Sequence, residues 1–342
     1  MAVNRRIVLA SRPVGAPTEE NFRLEEAPVP APGPGEMLLR TVWLSLDPYM
    51  RGRMSTAKSY AQPVEIGGVM VAGTVARVVE SNADGFAPGD LVLSQSGWQE
   101  YAVAGPKAVQ KLDPAAFPVS LALGTLGMPG MTAYVGLIDI GEPKEGKTVV
   151  VSAASGAVGS VVGQLAKARG CRAVGIAGGK AKCDYVTGEL GFDACVDYRA
   201  PDFKARLREA CPAGIDVYFE NVGGEVGDAC FELLNPFARV PVCGRIANYN
   251  DTALPDGPDR LPALMGQVLV RRLKIQGFIV TERWNRYPDF IREVGALVRE
   301  GRLRYREDVV DGLENAPRAF LGLLQGKNFG KLLVRVSPDG AR

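Results

Sequence analysis

Two patterns of apolar and polar positions follow one another along this chain, and each predicts a different kind of structure. Up to about residue 125, the apolar residues form short alternating or β-branched runs, separated by stretches rich in proline and glycine. Runs of this kind are typical of strands that end at turns. The predicted strands are Gly35–Leu46, Gly67–Glu80, Gly89–Ser94 and Trp98–Ala104. Several short strands with turns between them favour a small barrel-like domain.

From Thr148 onward, the pattern changes to apolar strands that alternate with helices. The predicted strands are TVVVSA, RAVGIA, ACVDY, GIDVYFENV, RVPVCG and KIQGFIV. Alternation of this kind builds a doubly wound parallel sheet, so the predicted fold class is α/β. The tail from Leu303 again has the pattern of strand, helix and strand, and from its residues alone it could complete either domain. A chain of 342 residues is long for one hydrophobic core, which also indicates two domains.

Composition and charge exclude several classes of protein. The net charge is +2 and no basic block occurs, so a nucleic-acid partner is not expected. No apolar stretch approaches the roughly 20 residues that a membrane-spanning helix needs. The apolar run near the N-terminus, Ile7–Ala10, is too short for the core of a signal peptide. We therefore expect no membrane contact, no export and a cytoplasmic location.

The chain contains no histidine and six scattered cysteines. The cysteines are Cys171, Cys183, Cys195, Cys211, Cys230 and Cys243, without a C-x-x-C pair. Separate buried thiols are a better interpretation of this spacing than a disulfide framework or a metal cluster. The absence of histidine excludes the usual catalytic zinc site and any Ser-His-Asp or Cys-His nucleophile. We expect no metal, and an enzyme of this composition would take its proton donor from tyrosine, lysine, a carboxyl group or water.

The turn after the first strand of the alternating region carries a modified glycine motif. It has the form Ala153-x-x-Gly156-x-x-Gly159, with alanine in place of the first glycine. Gly156 lets the backbone approach a pyrophosphate, and Gly159 lets the following helix pack closely on the strand. A helix that begins near Ala157 would offer its free N–H groups and the positive end of its dipole to the phosphates. The motif predicts a dinucleotide site, with a tight turn that binds nothing as the alternative.

The second strand of this region ends without the acidic residue that sites for NADH usually carry. Its window is VGIAGGKAKC, in which Gly178 and Gly179 precede Lys180 and Lys182, and no acid occurs before Asp184. A carboxylate would repel a 2′-phosphate, whereas a lysine attracts it. The window therefore predicts NADPH rather than NADH. Which lysine meets the phosphate stays open, and both could instead be solvated loop residues.

Several longer motifs resemble those of one family. They are LSLDPYMRGRM (Leu44–Met54), GGVMVAGTV (Gly67–Val75), LGMPGMTAYVGL (Leu126–Leu137), SGAVGSVVGQLAK, GFDACVDY, YFENVGG (Tyr218–Gly224), VCGRIANYN (Val242–Asn250) and GLENAPRAFLGLLQGKNFGK (Gly312–Lys331). Through them the chain resembles the zinc-independent medium-chain dehydrogenase/reductases, in the branch of leukotriene B4 12-hydroxydehydrogenase, the prostaglandin reductases and the bacterial NADPH-dependent curcumin reductases. The resemblance implies a GroES-like β-barrel catalytic domain of residues 1–127 and 303–342, an inserted Rossmann NADP-binding domain of residues 128–302, and a homodimer.

The resemblance also implies roles for individual residues. The implied NADP contacts are Gly156, Ala157, Val158, Gly159, Gly178, Lys182, Tyr198, Asn221, Cys243, Gly244, Tyr249, Phe278, Ile279, Val280 and Asn328. Zinc-binding relatives place a cysteine ligand in the turn where this chain has Asp47. The resemblance therefore agrees with the absence of zinc expected from the missing histidine.

The implied reaction is the reduction of a carbon–carbon double bond conjugated to a carbonyl group, with hydride from NADPH added at the β-carbon. Negative charge develops on the carbonyl oxygen, where a positioned donor stabilises it. Tyr249, just past a parallel strand, is the first candidate for this donor, and Tyr49 is the second. Tyr249 could also be a structural residue, and water could deliver the proton. Met128 and Met131 are candidates for the substrate side, although such methionines are often plain core.

The sequence is also compatible with two other functions. A zinc-free NADPH quinone oxidoreductase of the same superfamily would share the glycine turn. A non-catalytic member would bind NADPH without turning over a substrate. The segments LDPYMRGRM and GMPGMTAY favour the double-bond reductases.

Overall fold

A computed structural model describes residues 3–253 and 257–338 of the chain. It divides into two compact units: unit 1 is Met1–Gly124 with Glu307–Arg342, and unit 2 is Thr125–Arg306. The boundaries expected from the sequence differ from this division by three and four residues, namely 127 against 124 and 302 against 306. From its residues alone, the C-terminal tail could belong to either domain. In the structure, the part of this tail from Glu307 onward belongs to unit 1, which also contains the N-terminal strands.

Unit 1 is built from short strands, as the alternating runs predict. Its strands are β1 (Val3–Leu9), β2 (Phe22–Pro28), β3 (Met37–Ser45), β4 (Thr74–Ser81), β5 (Leu91–Ser94), β6 (Tyr101–Ala104), β7 (Gln110–Leu112), β14 (Glu307–Asp311) and β15 (Lys331–Arg335), and its helices are α1 (Met50–Arg53) and α9 (Ala316–Leu324). β1 and β2 form an antiparallel pair. The other strands form one sheet in the order β14-β15-β3-β4-β5-β7, with β6 paired to β3.

A cluster of three aromatic rings ties the C-terminal tail into the core of unit 1. Phe22 stacks on Trp98 with ring centroids 5.5 Å apart. Phe320 of α9 meets both of these rings edge-on. Stacked and edge-on pairs suit the charge distribution of aromatic rings, and large buried rings remove much apolar surface from water. The tail is therefore an integral part of the hydrophobic core of unit 1.

Unit 2 alternates strands and helices, as predicted. Its strands are β8 (Thr148–Ser152), β9 (Arg172–Ala177), β10 (Ala194–Asp197), β11 (Ile215–Phe219), β12 (Leu234–Val242) and β13 (Lys274–Gly277). Its α-helices are α2 (Met128–Tyr134), α3 (Gly159–Ala168), α4 (Lys180–Gly188), α5 (Phe203–Ala210), α6 (Gly224–Glu232), α7 (Leu261–Arg271) and α8 (Tyr287–Arg299), and the π-helical segment Val135–Gly141 continues α2. Across the described ranges, no helix combines the length and apolarity needed to cross a membrane.

The sheet of unit 2 is parallel and doubly wound. Its strand order is β10-β9-β8-β11-β12-β13, so the winding reverses between β8 and β11. Every residue of the central strand β8 is buried. A continuous apolar strand of this kind is expected where helices cover both faces of a parallel sheet.

Two helix starts differ from those expected. α3 begins at Gly159 rather than near Ala157, because the residues before it form the turn that follows β8. α4 begins at Lys180, two residues before the start expected at Lys182, because Gly179 adopts a φ of +93° and lets the chain enter the helix at once. The lysines are therefore held on a rigid element.

Candidate functional site

Most residues predicted to bind a cofactor lie at one edge of the sheet in unit 2, where its parallel strands end. The glycine turn follows β8, Gly178 follows β9, Tyr198 follows β10, Asn221 comes just after β11, Cys243 follows β12 and Phe278 follows β13. Parallel strands bring the loops at their carboxyl ends to the same edge, which is where doubly wound sheets bind ligands. The structure thus gathers residues that are far apart in the sequence.

The turn between β8 and α3 is tightly folded. Ala153 has a φ of +53°, a left-handed conformation that glycine adopts at lower cost. Its carbonyl oxygen accepts a hydrogen bond from the N–H of Gly156 at 2.9 Å. A Cβ atom on Gly159 would collide with the same oxygen, so no side chain fits there. The N–H groups of Ser160 and Val162 donate to the carbonyl oxygens of Gly156 and Val158 at 3.0 and 3.1 Å, so α3 continues directly from the turn. The positive end of its dipole therefore lies at the strand end, which suits a pyrophosphate.

Glu220 organises the loop after β11, a role that the sequence reasoning missed. The side chain is 5% exposed. Its Oε1 accepts hydrogen bonds from the N–H groups of Val222 and Gly223 at 2.7 and 2.9 Å, and from the Tyr218 hydroxyl at 2.8 Å. Its backbone carbonyl accepts the N–H of Cys243 at 2.9 Å, which joins the loops after β11 and β12. An acid that directly follows an apolar strand is the signal that could have found it.

Asn221 connects the loop after β11 to the end of β8. Its side-chain Nδ2 donates to the carbonyl oxygen of Ser152 at 2.8 Å, and its backbone N–H donates to Ser152 Oγ at 2.9 Å. These two bonds cross the point where the winding of the sheet reverses, which is the usual ligand position in this architecture. Asn221 is half-buried and keeps part of its surface for a ligand.

An aromatic ring and a guanidinium group lie beside Gly178, at the end of β9. A Cβ atom on Gly178 would come within 2.9 Å of the Tyr198 ring and 3.0 Å of Arg199 Nε, so glycine keeps this space open. The guanidinium carbon of Arg199 lies 5.6 Å from the centroid of the Tyr198 ring. Arg199 was not among the predicted residues, although it directly follows Tyr198 in the sequence. Its planar, permanently charged group is suited to phosphate.

The two lysines of α4 have different surroundings. Lys180 is exposed and forms an ion pair with Asp184 at 2.6 Å, one helical turn further on. Lys182 is half-buried. Because Lys180 extends into solvent whereas Lys182 is half-buried, Lys182 is the better candidate for a phosphate contact.

The loop after β12 brings Tyr249 back toward Gly244. A Cβ atom on Gly244 would lie 3.1 Å from the Tyr249 hydroxyl and 3.3 Å from the carbonyl oxygen of Asn221. In the same loop, burial and then the charge of Glu220 raise the pKa of the Cys243 thiol to about 12. The thiol therefore stays protonated at neutral pH and is a poor nucleophile. The backbone of Cys243, rather than its thiol, is therefore the candidate contact.

The segment after β13 carries apolar side chains. The Phe278 ring meets the ring of Phe219 in β11 edge-on, with centroids 6.4 Å apart. Ile279 is half-buried and Val280 is buried. These residues continue the sheet edge with an apolar surface.

The two methionines predicted for the substrate side differ in exposure. Met128, the first residue of α2, is half-buried, so part of its side chain is accessible. Met131 has no exposed surface. Of the two, Met128 is therefore the residue with surface available to a substrate, whereas Met131 packs in the apolar interior.

Unit 1 contains the two remaining predicted residues, Tyr49 and Asn328. Tyr49 is half-buried and directly precedes α1. Burial, and then the charge of Asp47, raise the pKa of its phenol, which keeps Tyr49 protonated and able to donate a hydrogen bond. Asn328 Nδ2 donates to the carbonyl oxygen of Gly330 at 2.9 Å, in the turn before β15.

Asp47, which stands where zinc-binding relatives have a cysteine ligand, is paired with a cation from the chain itself. Lys331 Nζ lies 2.6 Å from Asp47 Oδ1, 2.6 Å from Ser45 Oγ and 3.0 Å from the carbonyl oxygen of Leu46. The Lys331 and Asp47 side chains are only 5% and 8% exposed. All three ammonium protons thus have an acceptor. Among the described residues, no group of three or more Cys, Asp or Glu side chains could hold a metal ion.

The sheet edge has the chemistry that a phosphorylated dinucleotide requires. The turn before α3 offers backbone N–H groups to a pyrophosphate. Lys182 and Arg199 bring positive charge to the ends of β9 and β10, and a Cβ atom on Gly178 or Gly244 would crowd the groups beside it. The residues present therefore fit NADPH.

Comparisons with known proteins cover nearly the whole chain. Residues 5–112 match the family model described as the N-terminal domain of oxidoreductase, and residues 157–296 match zinc-binding dehydrogenase. The chain is 58% identical over 337 residues to NADPH-dependent curcumin reductase of Escherichia coli (strain K12), covering 98% of both chains. It is 41% identical over 328 residues to prostaglandin reductase 1 of Bos taurus, covering 94% of this chain and 96% of that one. The crystal structure of CurA in complex with NADPH from Vibrio vulnificus matches with a TM-score of 0.95 and 55% identity, over 98% of this chain and 99% of that one.

Proposed function

The chain belongs to the medium-chain dehydrogenase/reductase family, in the branch of the curcumin and prostaglandin reductases, and from this premise we propose that it is an NADPH-dependent enone reductase. The bond reduced is the carbon–carbon double bond of α,β-unsaturated ketones and aldehydes. The family resemblance and the fold class expected from the sequence are both confirmed.

One observation carries this proposal: three features lie at a single edge of the sheet in unit 2. They are the glycine turn before α3, a basic corner formed by Lys182 and Arg199, and the loop that carries Tyr249. The glycine turn follows β8, the basic corner follows β9 and β10, and Tyr249 lies in the loop after β12. A dinucleotide needs the first two features, and a hydride acceptor that develops negative charge needs the third. This set of groups requires neither histidine nor a metal ion.

The residues of unit 2 are proposed to hold and orient NADPH, which supplies the hydride when bound. Gly156, Ala157, Val158 and Gly159 bind the pyrophosphate, and Lys182 with Arg199 and Tyr198 binds the 2′-phosphate. The Asn221 amide and the backbone of Cys243 and Gly244 face the remainder of the cofactor. Phe278–Val280 pack beside it, and Asn328 of unit 1 is a further proposed contact.

Tyr249 is proposed to donate a hydrogen bond to the carbonyl oxygen of the substrate, where negative charge develops as hydride adds to the β-carbon. A phenol is protonated at neutral pH and can serve as this donor. Tyr49, held protonated by its buried surroundings, is the second candidate. Met128 is proposed to line the substrate with adaptable apolar surface.

The proposed function is tested by NADPH consumption with a panel of electrophiles. Linear enones and 2-alkenals of graded size are compared with benzoquinone, and each is repeated with NADH. We expect enones to have the higher kcat/KM, with a preference for NADPH. A faster reaction with benzoquinone would make the chain a quinone oxidoreductase. Binding of NADPH without turnover of any electrophile would make it a non-catalytic binding protein, and no binding at millimolar NADPH would refute the proposal.

Replacing Lys182 by alanine should raise KM for NADPH about 10- to 100-fold, because a hydrogen bond to a charged group contributes about 1.5–3 kcal/mol. KM for NADH should stay nearly unchanged, since NADH carries no 2′-phosphate. The measurement is steady-state kinetics with each cofactor at saturating enone.

Lys180→Ala is the matched control for this prediction. It removes a lysine from the same helical turn, but one that is exposed and paired with Asp184. Its KM for NADPH should change less than about twofold, because exposed ion pairs contribute little. If Lys180→Ala has the larger effect, Lys180 is the phosphate ligand instead.

We further propose that the chain forms a homodimer through the free edge of the sheet in unit 2. β13 pairs with β12 on one side, and within residues 3–253 and 257–338 no strand pairs with its other side. Leu261, Met265 and Leu269 are exposed at four-residue intervals along one face of α7. An unpaired strand edge next to exposed apolar side chains is unfavourable in water, and a second copy related by two-fold symmetry would cover it.

Leu269→Glu should convert the dimer to a monomer, because Leu269 is 77% exposed on this face and a charge there would be buried on dimerisation. The wild-type chain should elute with twice its mass of 36.4 kDa, measured by light scattering after gel filtration. Val14→Glu, at a 90% exposed position of unit 1, is the control and should leave the mass unchanged. A monomeric wild-type chain would refute the proposal.

A cytoplasmic location is proposed on the state of the cysteines. All six are free thiols in the structure, and two of them lie close together without a bond. Scattered cysteines without a disulfide framework are typical of proteins from a reducing compartment. A fusion to a fluorescent protein, imaged in living cells, tests the location.

A further inference from the structure

Two of the six cysteines, which the sequence treats as separate, lie side by side in the folded chain. Cys183 in α4 and Cys195 in β10 have their sulfur atoms 3.1 Å apart. Both residues are half-buried, so part of their surface is open to a small reagent. The other four differ: Cys171, Cys211 and Cys230 are buried, and burial raises the pKa of the half-buried Cys243 to about 12.

We propose that Cys183 and Cys195 form a modification site, a dithiol that low-molecular-weight disulfides oxidise reversibly to an intrachain disulfide. The sulfur atoms lie about 1 Å beyond the length of a disulfide bond, so a small movement of α4 against β10 joins them. No partner protein or metal is needed.

The chemistry of the pair assigns a different role to each thiol. The Cys195 S–H donates a hydrogen bond to Cys183 Sγ, which lowers the pKa of Cys183 and raises that of Cys195. Burial, and then the carboxylates of Asp197 and Asp184, oppose the ionisation of Cys183, but each is a smaller influence on its pKa than this hydrogen bond. Cys183 is therefore the attacking thiolate and Cys195 the resolving thiol.

The reaction balances with one molecule of the external disulfide. Cys183 Sγ attacks one sulfur of the reagent, the S–S bond of the reagent breaks, and its first half leaves as a thiolate. Cys195 then loses its proton and attacks Cys183 Sγ, and the second half leaves. The chain is oxidised by two electrons, and one disulfide is reduced to two thiols. An external dithiol reverses both steps.

The modification has a consequence for cofactor binding, which rests on the proposed function. Cys183 directly follows Lys182, the proposed ligand of the 2′-phosphate. Bond formation closes a gap of roughly 1 Å between the two sulfur atoms and pulls the first turn of α4 toward β10. Charge-assisted hydrogen bonds have short, specific geometry, so this displacement weakens the phosphate contact. We expect KM for NADPH to rise about three- to tenfold on oxidation, with KM for NADH nearly unchanged.

The test uses the full-length chain, reduced and then exposed to oxidised glutathione. We expect the count of alkylatable thiols in denaturant to fall from six to four, the intact mass to fall by two hydrogens, and a peptide containing Cys183 to be joined to one containing Cys195. Dithiothreitol should restore all six thiols. Retention of six thiols, or a bond between any other two cysteines, would overturn the proposal.

Single variants check the order of the two thiols. Cys195→Ser should stop at one glutathione bound to Cys183, because the resolving thiol is gone. Cys183→Ser should gain no glutathione, and Cys171→Ser, which removes a buried thiol elsewhere, should still form the disulfide. If the disulfide forms but KM for NADPH does not change, the modification site is supported and its proposed effect on cofactor binding is wrong. If neither form binds NADPH, the proposed function fails while the thiol result still stands.

Discussion

Tyr249→Phe should lower kcat/KM for a linear enone by about 10²–10³-fold, because removal of one donor to a developing oxyanion costs about 2.7–4 kcal/mol of barrier. The substitution deletes a single oxygen and keeps the ring. KM for NADPH should change little, since the cofactor contacts proposed for this loop come mainly from its backbone. Steady-state kinetics with enone and NADPH varied separately measures both quantities.

Gly244→Ala offers a second approach to the same hydroxyl. A Cβ atom there would lie 3.1 Å from the Tyr249 oxygen, which is tighter than an ordinary van der Waals contact. The hydroxyl would have to shift, so kcat should fall although Tyr249 is still present.

Tyr49→Phe is the comparison that separates the two tyrosines. Tyr60→Phe, at a 65% exposed position, is the control for the loss of a phenol oxygen elsewhere. If Tyr49→Phe causes the large loss and Tyr249→Phe does not, Tyr49 is the donor. If neither variant loses more than the control, the proton and the stabilisation come from water, and the assignment of Tyr249 is wrong.

Lys331→Met should lower the free energy of unfolding by about 3–5 kcal/mol, the usual cost of removing one partner from a buried ion pair. The Asp47 side chain would remain 8% exposed without its cation, and the Ser45 hydroxyl would lose the hydrogen bond that it accepts from Lys331. The turn that carries Tyr49 begins at Asp47, so we also expect its conformation to change. Urea unfolding followed by circular dichroism gives the shift of the midpoint, and calorimetry gives the melting temperature.

Two variants bracket this prediction. Arg206→Ala breaks the exposed pair with Asp202 and should leave the midpoint nearly unchanged. Lys331→Met combined with Asp47→Asn removes both charges and should recover part of the lost stability, because no unpaired buried charge remains. The prediction fails if Lys331→Met moves the midpoint no further than Arg206→Ala does.

The strands, helices and turns of unit 2 could be predicted because their signals are local. RAVGIA became β9 with the same bounds, since a short β-branched run is typical of a buried strand. The spacing of Ala153, Gly156 and Gly159 located the turn before α3 because a helix can approach a strand end this closely only without a side chain. NADPH could be predicted because the residues that follow β9 include two lysines and no acid before Asp184, and this local charge favours a 2′-phosphate.

Contacts across long separations could not be predicted in the same way. Lys331 and Asp47 are 284 positions apart, and no pattern near either residue announces the other. Glu220 joins the loops after β11 and β12 because these two strands are neighbours in the sheet, and this pairing cannot be inferred from the residues around Glu220. Met128 and Met131 belong to one motif, yet the helix exposes part of one and buries the other.

By itself, the sequence determined the two kinds of domain, the turn that suits a pyrophosphate and the absence of any histidine, because each depends on residues close together or on composition alone. The tertiary structure decided which side chains meet. It paired Lys331 with Asp47, placed Cys183 beside Cys195 and brought Arg199 to Gly178. The physical reason is that such contacts depend on how strands and helices pack against one another, which no short segment encodes.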